Sequence, residues 1–293
     1  MILRNPLIKD NSKSRDPFIT FWNGNYYSCY DGKDKVVVRK FSSFEEIVDA
    51  EEKIVYKSEG DMPIEWYAPE MHLIDGHWYI YGAPCHPNNQ CHSMQVLRSV
   101  SDDPFSDYEY MGYVKGLEDK WSIDGTVFTH NGRLYMVVAM PTVELWICEM
   151  SDPITLKGTP LPLIKAEYPW EKVMSPVVEG PFVLKKNNNL YIVYSASDSK
   201  CDSYCLGLLT FNGGDILDSN NWQKNSTPIF ESANGLYGPG HCSFTKIGDK
   251  DIVVYHANTE KNQGWTGSYL CAQPIEWQND VPILGEPLPE FEI

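Results

Sequence analysis

Three acidic residues, Asp16, Asp124 and Glu179, each open a short apolar stretch of strand-like character. The stretches read Arg15-Asp16-Pro17-Phe18-Ile19-Thr20-Phe21, Ile123-Asp124-Gly125-Thr126-Val127-Phe128 and Val178-Glu179-Gly180-Pro181-Phe182-Val183-Leu184. A carboxylate at the head of a hydrophobic strand is costly unless it serves a polar cavity. Cleavage of a glycosidic bond uses such groups: an acid protonates the leaving oxygen, and a carboxylate acts from the opposite side of the sugar. The two must hold different protonation states at one pH, so one pKa has to be raised. A third carboxylate close by does this through like-charge repulsion. Base, acid and pKa modulator is thus a natural division of labour for three carboxylates around one cavity. Taken singly, an Asp-Gly or a Glu-Gly-Pro reads as a turn. The coincidence of all three with a repeat is what points to chemistry.

The elements that must position them recur along the chain. Each unit is a strand, a tight turn at Gly or Asn, and a second strand rich in Tyr, Val and Ile. The turns fall at Gly24, Gly76, Gly132, Asn188 and Gly248, about 52, 56, 56 and 60 residues apart. Asn-Gly and Asp-Gly mark hairpins because both central residues must adopt φ > 0. Periods near 50 residues, each holding several short strands and no long helix, indicate a β-propeller. The reading is an all-β, five-bladed β-propeller in which residues 1–293 form a single catalytic domain. A β-sandwich does not explain the regular spacing. In a propeller the first strand of every blade lies beside the axis, so the strand starts gather at one end of the channel. Those starts carry Asp16, the Ala68-Pro69-Glu70 run, Asp124, Glu179 and His241.

Bulk properties narrow the partners. With 293 residues and 42% hydrophobic content, the chain has enough apolar material for a large core. A formal net charge of −16 argues against nucleic acid and anionic membranes, which require basic patches. No apolar run approaches the roughly 20 residues of a membrane helix. The start, Met1-Ile2-Leu3-Arg4-Asn5-Pro6, lacks the basic and apolar regions of a secretion signal. Cys29, Cys148, Cys205 and Cys271 sit inside strand-like runs, where a thiol behaves as a small apolar residue. Mostly free thiols and no signal lead to the expectation of a cytoplasmic enzyme. The stretch Cys85-His86-Pro87-Asn88-Asn89-Gln90-Cys91-His92 offers two thiolates and two imidazoles to zinc, but in none of the usual structural spacings. Its plainer reading is a polar loop leaving a strand.

The chain resembles glycoside hydrolase family 43, the five-bladed inverting hydrolases of arabinose- and xylose-containing polysaccharides. The resemblance runs from Arg15-Asp16-Pro17-Phe18 through Trp66-Tyr67-Ala68-Pro69-Glu70, Ile123-Asp124-Gly125-Thr126-Val127-Phe128 and Glu179-Gly180-Pro181. It continues with Tyr194-Ser195-Ala196-Ser197, Gly238-Pro239-Gly240-His241, Val254-Tyr255-His256-Ala257 and Gln273-Pro274-Ile275-Glu276-Trp277. It implies that Asp16 is the general base, Glu179 the general acid and Asp124 the residue that raises and orients Glu179. It implies no cofactor for the chemistry and a plant oligosaccharide or polysaccharide as partner. His241 would sit deep in the channel and support a hydrated structural calcium ion; a core histidine satisfied by backbone is the alternative. Trp66 is expected as a pocket wall, since aromatic faces suit sugar C–H groups, with burial between blades as the alternative. Glu70 is expected to be structural. His86, in the loop after Tyr81, is a candidate substrate contact at the cavity mouth.

Two departures leave the sugar open. Cys242 stands where many members have Asn, and residues 267–272 lack the arginine that many carry before the glutamine matching Gln273. The leading activity is exo-acting α-L-arabinofuranosidase, with β-xylosidase beside it and a catalytically silent sugar-binding propeller as the reading from another class. Retaining fructan hydrolases share five blades and Arg-Asp-Pro, but their Trp-x-Asn-Asp-Pro-Asn and Glu-Cys motifs are missing.

Overall fold

In the computed structural model, which describes residues 2–118 and 120–293, each of the five turn signals joins the first two strands of an antiparallel sheet. Asn23 and Gly24 (φ 45° and 81°), Asp75 and Gly76 (49° and 78°) and Asn131 and Gly132 (48° and 74°) adopt the left-handed pairs that two-residue hairpins need. Blade 1 holds Phe18–Trp22, Asn25–Asp31, Lys35–Phe41 and Glu51–Lys57; blade 2 holds Ile64–Ile74, His77–Cys85, Gln95–Ser99 and Tyr108–Tyr113. Blade 3 is Ile123–His130, Arg133–Met140 and Glu144–Asp152, with Thr155–Leu156 and Leu161–Ile164 on its outer side. Blade 4 is Val178–Lys186, Asn189–Ala196, Cys205–Phe211 and Trp222–Lys224, and blade 5 is Tyr237–Ile247, Lys250–Asn258 and Tyr269–Pro274. The innermost strands of consecutive blades touch around the axis, and blade 5 closes onto blade 1.

Alternation along a strand explains the ring. Successive side chains point to opposite faces, and here both faces are covered. In the second strand of blade 4, Ile192 and Tyr194 join the core shared with blade 3, while Tyr191 and Val193 join the core shared with blade 5. Five such cores separate the five pairs of neighbouring blades. The fifth includes Leu3, Ile8 and Phe291 from the chain ends. Ile2–Arg4 pairs with Glu290–Glu292, and Ile8 bridges Leu270, so the N-terminal segment extends the three-stranded fifth blade. No helix among the described residues is long and apolar enough to cross a membrane.

Candidate active site

The inner strands do not reach the axis as regular strands. Register shifts interrupt those of blades 2 to 5 at 64–67 and 67–70, 123–126, 179–182, and 237–240 and 240–243. Bulges of this kind re-aim side chains and cluster beside active sites. At each one stands a residue with left-handed φ: Ala68 (43°), Asp124 (56°), Gly180 (52°) and His241 (44°); Asp16 (52°) does the same just before blade 1. Each lies eight residues before the second residue of its hairpin turn, Gly24, Gly76, Gly132, Asn188 or Asp249. The equivalent positions are therefore Asp16, Ala68, Asp124, Gly180 and His241. Glu179 is offset by one, so the three carboxylates that head strands do not all occupy the same place in the repeat. The reason is steric. A Cβ on Gly180 would meet His241 Nδ1 at 3.0 Å and Ser195 Oγ at 3.2 Å, so glycine fills the ring position and its predecessor carries the carboxylate.

The structure brings Asp16, Asp124, Glu179 and His241 into one network. His241 Nδ1 lies 3.3 Å from Asp16 Oδ1 and 4.0 Å from Asp124 Oδ2. The Gly180 N–H donates to Asp124 Oδ2 at 3.0 Å, and the Tyr204 hydroxyl donates to Glu179 Oε1 at 3.0 Å. His241 is itself fixed by its backbone N–H, which donates to Ser195 Oγ at 2.8 Å. His256 Nδ1 is 3.2 Å from the Asp16 nitrogen and 3.4 Å from Asp16 Oδ1, so it serves one of them at a time as acceptor or donor. Tyr204 stacks on the His256 ring, 5.7 Å between centroids, and thereby links the partner of Glu179 to that of Asp16. No motif marks Tyr204, and His256 stands in the sequence only within Val254-Tyr255-His256-Ala257; their buried, mutually stacked placement reveals both.

The three carboxyl groups are driven apart in acidity. Burial pushes Asp16 up, but His241, Arg15 and His256 outweigh it and hold the carboxyl well below the usual range. Burial, aided by the Asp16 charge and opposed by His241, pushes Asp124 up to about 6. Burial and then the Asp124 charge push Glu179 up to about 8, against His241 and the Tyr204 hydrogen bond. His241 is raised, because Asp16, Asp124 and Glu179 together overcome its burial. One group is kept ionised and another protonated across neutral pH.

A cavity of about 640 Å³ opens beside Asp16, lined also by Tyr67, Tyr30, Asp31, Arg15 and Trp265. Of the three carboxylates only Asp16 is on its wall; Asp124 and Glu179 join it through the network above. The Arg15 guanidinium lies 4.3 Å over the Trp265 ring, and Lys200 Nζ lies 4.1 Å over the same ring. The loop between the second and third strands of blade 5 thus delivers Trp265, flagged in sequence only by the setting Gly264-Trp265-Thr266-Gly267.

Trp66 is not a wall. It is 0% exposed, between Tyr56 and Tyr110, whereas Tyr67 is 44% exposed and lines the cavity. Adjacent strand residues face opposite ways, so Trp66 goes to the core between blades and Tyr67 to the cavity. Trp66→Ala is expected to cost about 3–5 kcal/mol of stability, read from the denaturant midpoint. Tyr67→Ala should change stability by no more than about 1 kcal/mol and raise KM. Equal destabilisation by both would refute this division. His86 is likewise absent from the cavity wall: its Nδ1–H donates to the Asp61 carbonyl at 3.0 Å. Glu70 is buried and bonds His72 Nε2 at 2.9 Å, a structural pairing.

A family model described as glycosyl hydrolases family 43 matches residues 3–282. The chain belongs to family 43. It is 34% identical over 275 residues to the extracellular exo-α-(1→5)-L-arabinofuranosidase of Streptomyces chartreusis, covering 88% of this chain and 83% of that one. It is 32% identical over 276 residues to the enzyme of the same name from Streptomyces avermitilis, of which it spans 56%. The crystal structure of α-L-arabinofuranosidase from Lactobacillus brevis superposes with a TM-score of 0.88 at 31% identity, covering 98% of this chain and 97% of that one. Membership in family 43 makes the chain a hydrolase of glycosyl bonds with carbohydrate substrates, and the family's chemistry needs no cofactor. The cytoplasmic expectation is corrected, since both Streptomyces relatives are extracellular enzymes. Its thiol argument fails physically. All eight cysteines are free, but six are buried, and a buried thiol reports nothing about the redox compartment.

Proposed function

We propose that this chain is an exo-acting α-L-arabinofuranosidase that inverts configuration, with Asp16 as general base, Glu179 as general acid and Asp124 as modulator of Glu179. The observation that carries the reading is the divergence of acidity within one network: Asp16 held low, Glu179 raised to about 8. Groups whose surroundings push them in opposite directions identify the base and the acid. Ionised Asp16 activates a water molecule, and protonated Glu179 supplies the leaving oxygen with its proton. Asp124 repels the charge on Glu179 and, through the Gly180 N–H, steadies the residue beside it. The arabinofuranose preference and the exo action are supported by the relatives named for them.

Residues 1–293 act as one catalytic unit in this reading, supported by the pairing of both chain ends. The partner is a plant-derived oligosaccharide; the net charge of −16 opposes nucleic acid and anionic membranes. Calcium favours six to eight oxygen ligands. Around His241 the acidic groups Asp16, Asp124 and Glu70 are already engaged, so the residues present do not form a direct calcium cage. An ion in the channel would be held through water beside His241.

The test is hydrolysis of 4-nitrophenyl α-L-arabinofuranoside against the β-D-xyloside, with α-1,5-linked arabino-oligosaccharides as natural substrates. Arabinofuranoside turnover at least about tenfold faster is expected, with monomeric arabinose as the sole early product. Proton NMR of the first product should show inverted anomeric configuration. No turnover of any pentoside, or retention of configuration, would overturn the assignment.

A further inference from the structure

The loop after Tyr81 resolves into two parts. His86 and Cys91 point elsewhere, but Cys85 and His92 come together with Glu65, a residue far from them in sequence. One donor atom from each lies within 4.8 Å of the other two. Cys85 is fully buried and its Sγ is 3.9 Å from Glu65 Oε2. His92 is 9% exposed, and its Nδ1–H donates to the Ala83 carbonyl at 2.7 Å. That bond fixes the tautomer and leaves Nε2 with a free lone pair, the usual support of a metal-binding imidazole. The ring is held flat by Tyr67, stacked at 3.9 Å between centroids.

The scaffold is equally fixed. Cys85 ends the second strand of blade 2, opposite Ile64, and Glu65 follows Ile64 with a left-handed φ of 53°. The Glu65 N–H donates to the Lys33 carbonyl at 2.6 Å. The network of Asp16, Asp124, Glu179 and His241 does not include these side chains. A divalent cation binding there would take the place of the Cys85 thiol proton.

We propose that Glu65, Cys85 and His92 form a binding site for a borderline divalent cation of the zinc or cobalt type, adjoining the sugar cavity behind Tyr67. One thiolate, one imidazole and one carboxylate suit such an ion and leave a fourth position for water. Calcium and magnesium, which want oxygen alone, do not fit. Glu65, only half-buried, provides the way in.

The test titrates the full chain, freed of metal by a chelator, with Co2+. One equivalent should bind and develop thiolate-to-cobalt charge-transfer absorption, and Zn2+ should displace it. Cys85→Ser should abolish the band, Cys91→Ser should retain it, and Glu65→Gln should weaken binding at least about tenfold. Circular dichroism establishes that each variant is folded. Should Cys85→Ser not fold, Glu65→Gln decides, because its residue is at the surface side of the site. Absence of stoichiometric binding by the wild type, persistence of the band in folded Cys85→Ser, or unchanged affinity in Glu65→Gln would each overturn the proposal.

Discussion

Replacing Glu179 by glutamine is expected to lower kcat/KM on an unactivated arabinoside by about 10³-fold, within the usual range for loss of a general acid. The amide preserves the shape of the side chain and can still accept the Tyr204 hydrogen bond of 3.0 Å, so the fold should be intact. The loss must depend on the leaving group. A 2,4-dinitrophenyl arabinoside departs without a proton, and on it the variant should recover most of the wild-type rate. Asp16→Asn should show no such recovery, because a water molecule must be activated whatever leaves. Parallel losses for both variants across the leaving-group series would remove the distinction between acid and base. Steady-state kinetics on three aryl arabinosides of graded leaving ability suffices to check it.

The second large effect is on pH dependence. In the proposed mechanism Asp16 works ionised, and its carboxyl is held well below the usual range, so the base should stay competent far into acid. In the same mechanism Glu179 works protonated, and because it is raised to about 8, kcat/KM should fall as pH rises through that value. Burial is the largest cause of that rise and the Asp124 charge the next. Asp124→Asn removes the second cause and leaves the first. The acid then ionises more readily, and the alkaline limb should move to lower pH by about one unit or more. An alkaline limb that stays in place in Asp124→Asn would show that Asp124 does not modulate Glu179. A movement to higher pH would contradict the sign of the interaction.

Much of this was legible in the sequence because it depends on local rules. Asn23-Gly24, Asp75-Gly76 and Asn131-Gly132 demand left-handed backbone, and their spacing counts the blades. Asp16 and Asp124 stand out as acids against apolar strands. What escaped depends on the bulges. A register shift changes which neighbour faces the cavity, so local pattern marks neither Tyr67 in place of Trp66 nor the one-residue offset of Glu179. The offset follows from the room that His241 needs beside Gly180, a contact across blades that no local pattern encodes. Tyr204, His256 and Trp265 were hidden for the same reason: each gains its role from a partner in another part of the chain. The missing arginine of residues 267–272 looked like a lost guanidinium, yet Arg15 brings one to the cavity from the opposite end of the sequence.

Asp16 and its partner His256 are separated by 240 residues and meet only where blade 5 docks onto blade 1. Asp16 is therefore synthesised well before the two imidazoles that surround it in the finished ring. The last of the five blades in chain order completes the surroundings of the first. A chain without blade 5 would lack both the imidazoles beside Asp16 and the Trp265 side of the cavity, so turnover should report closure of the ring.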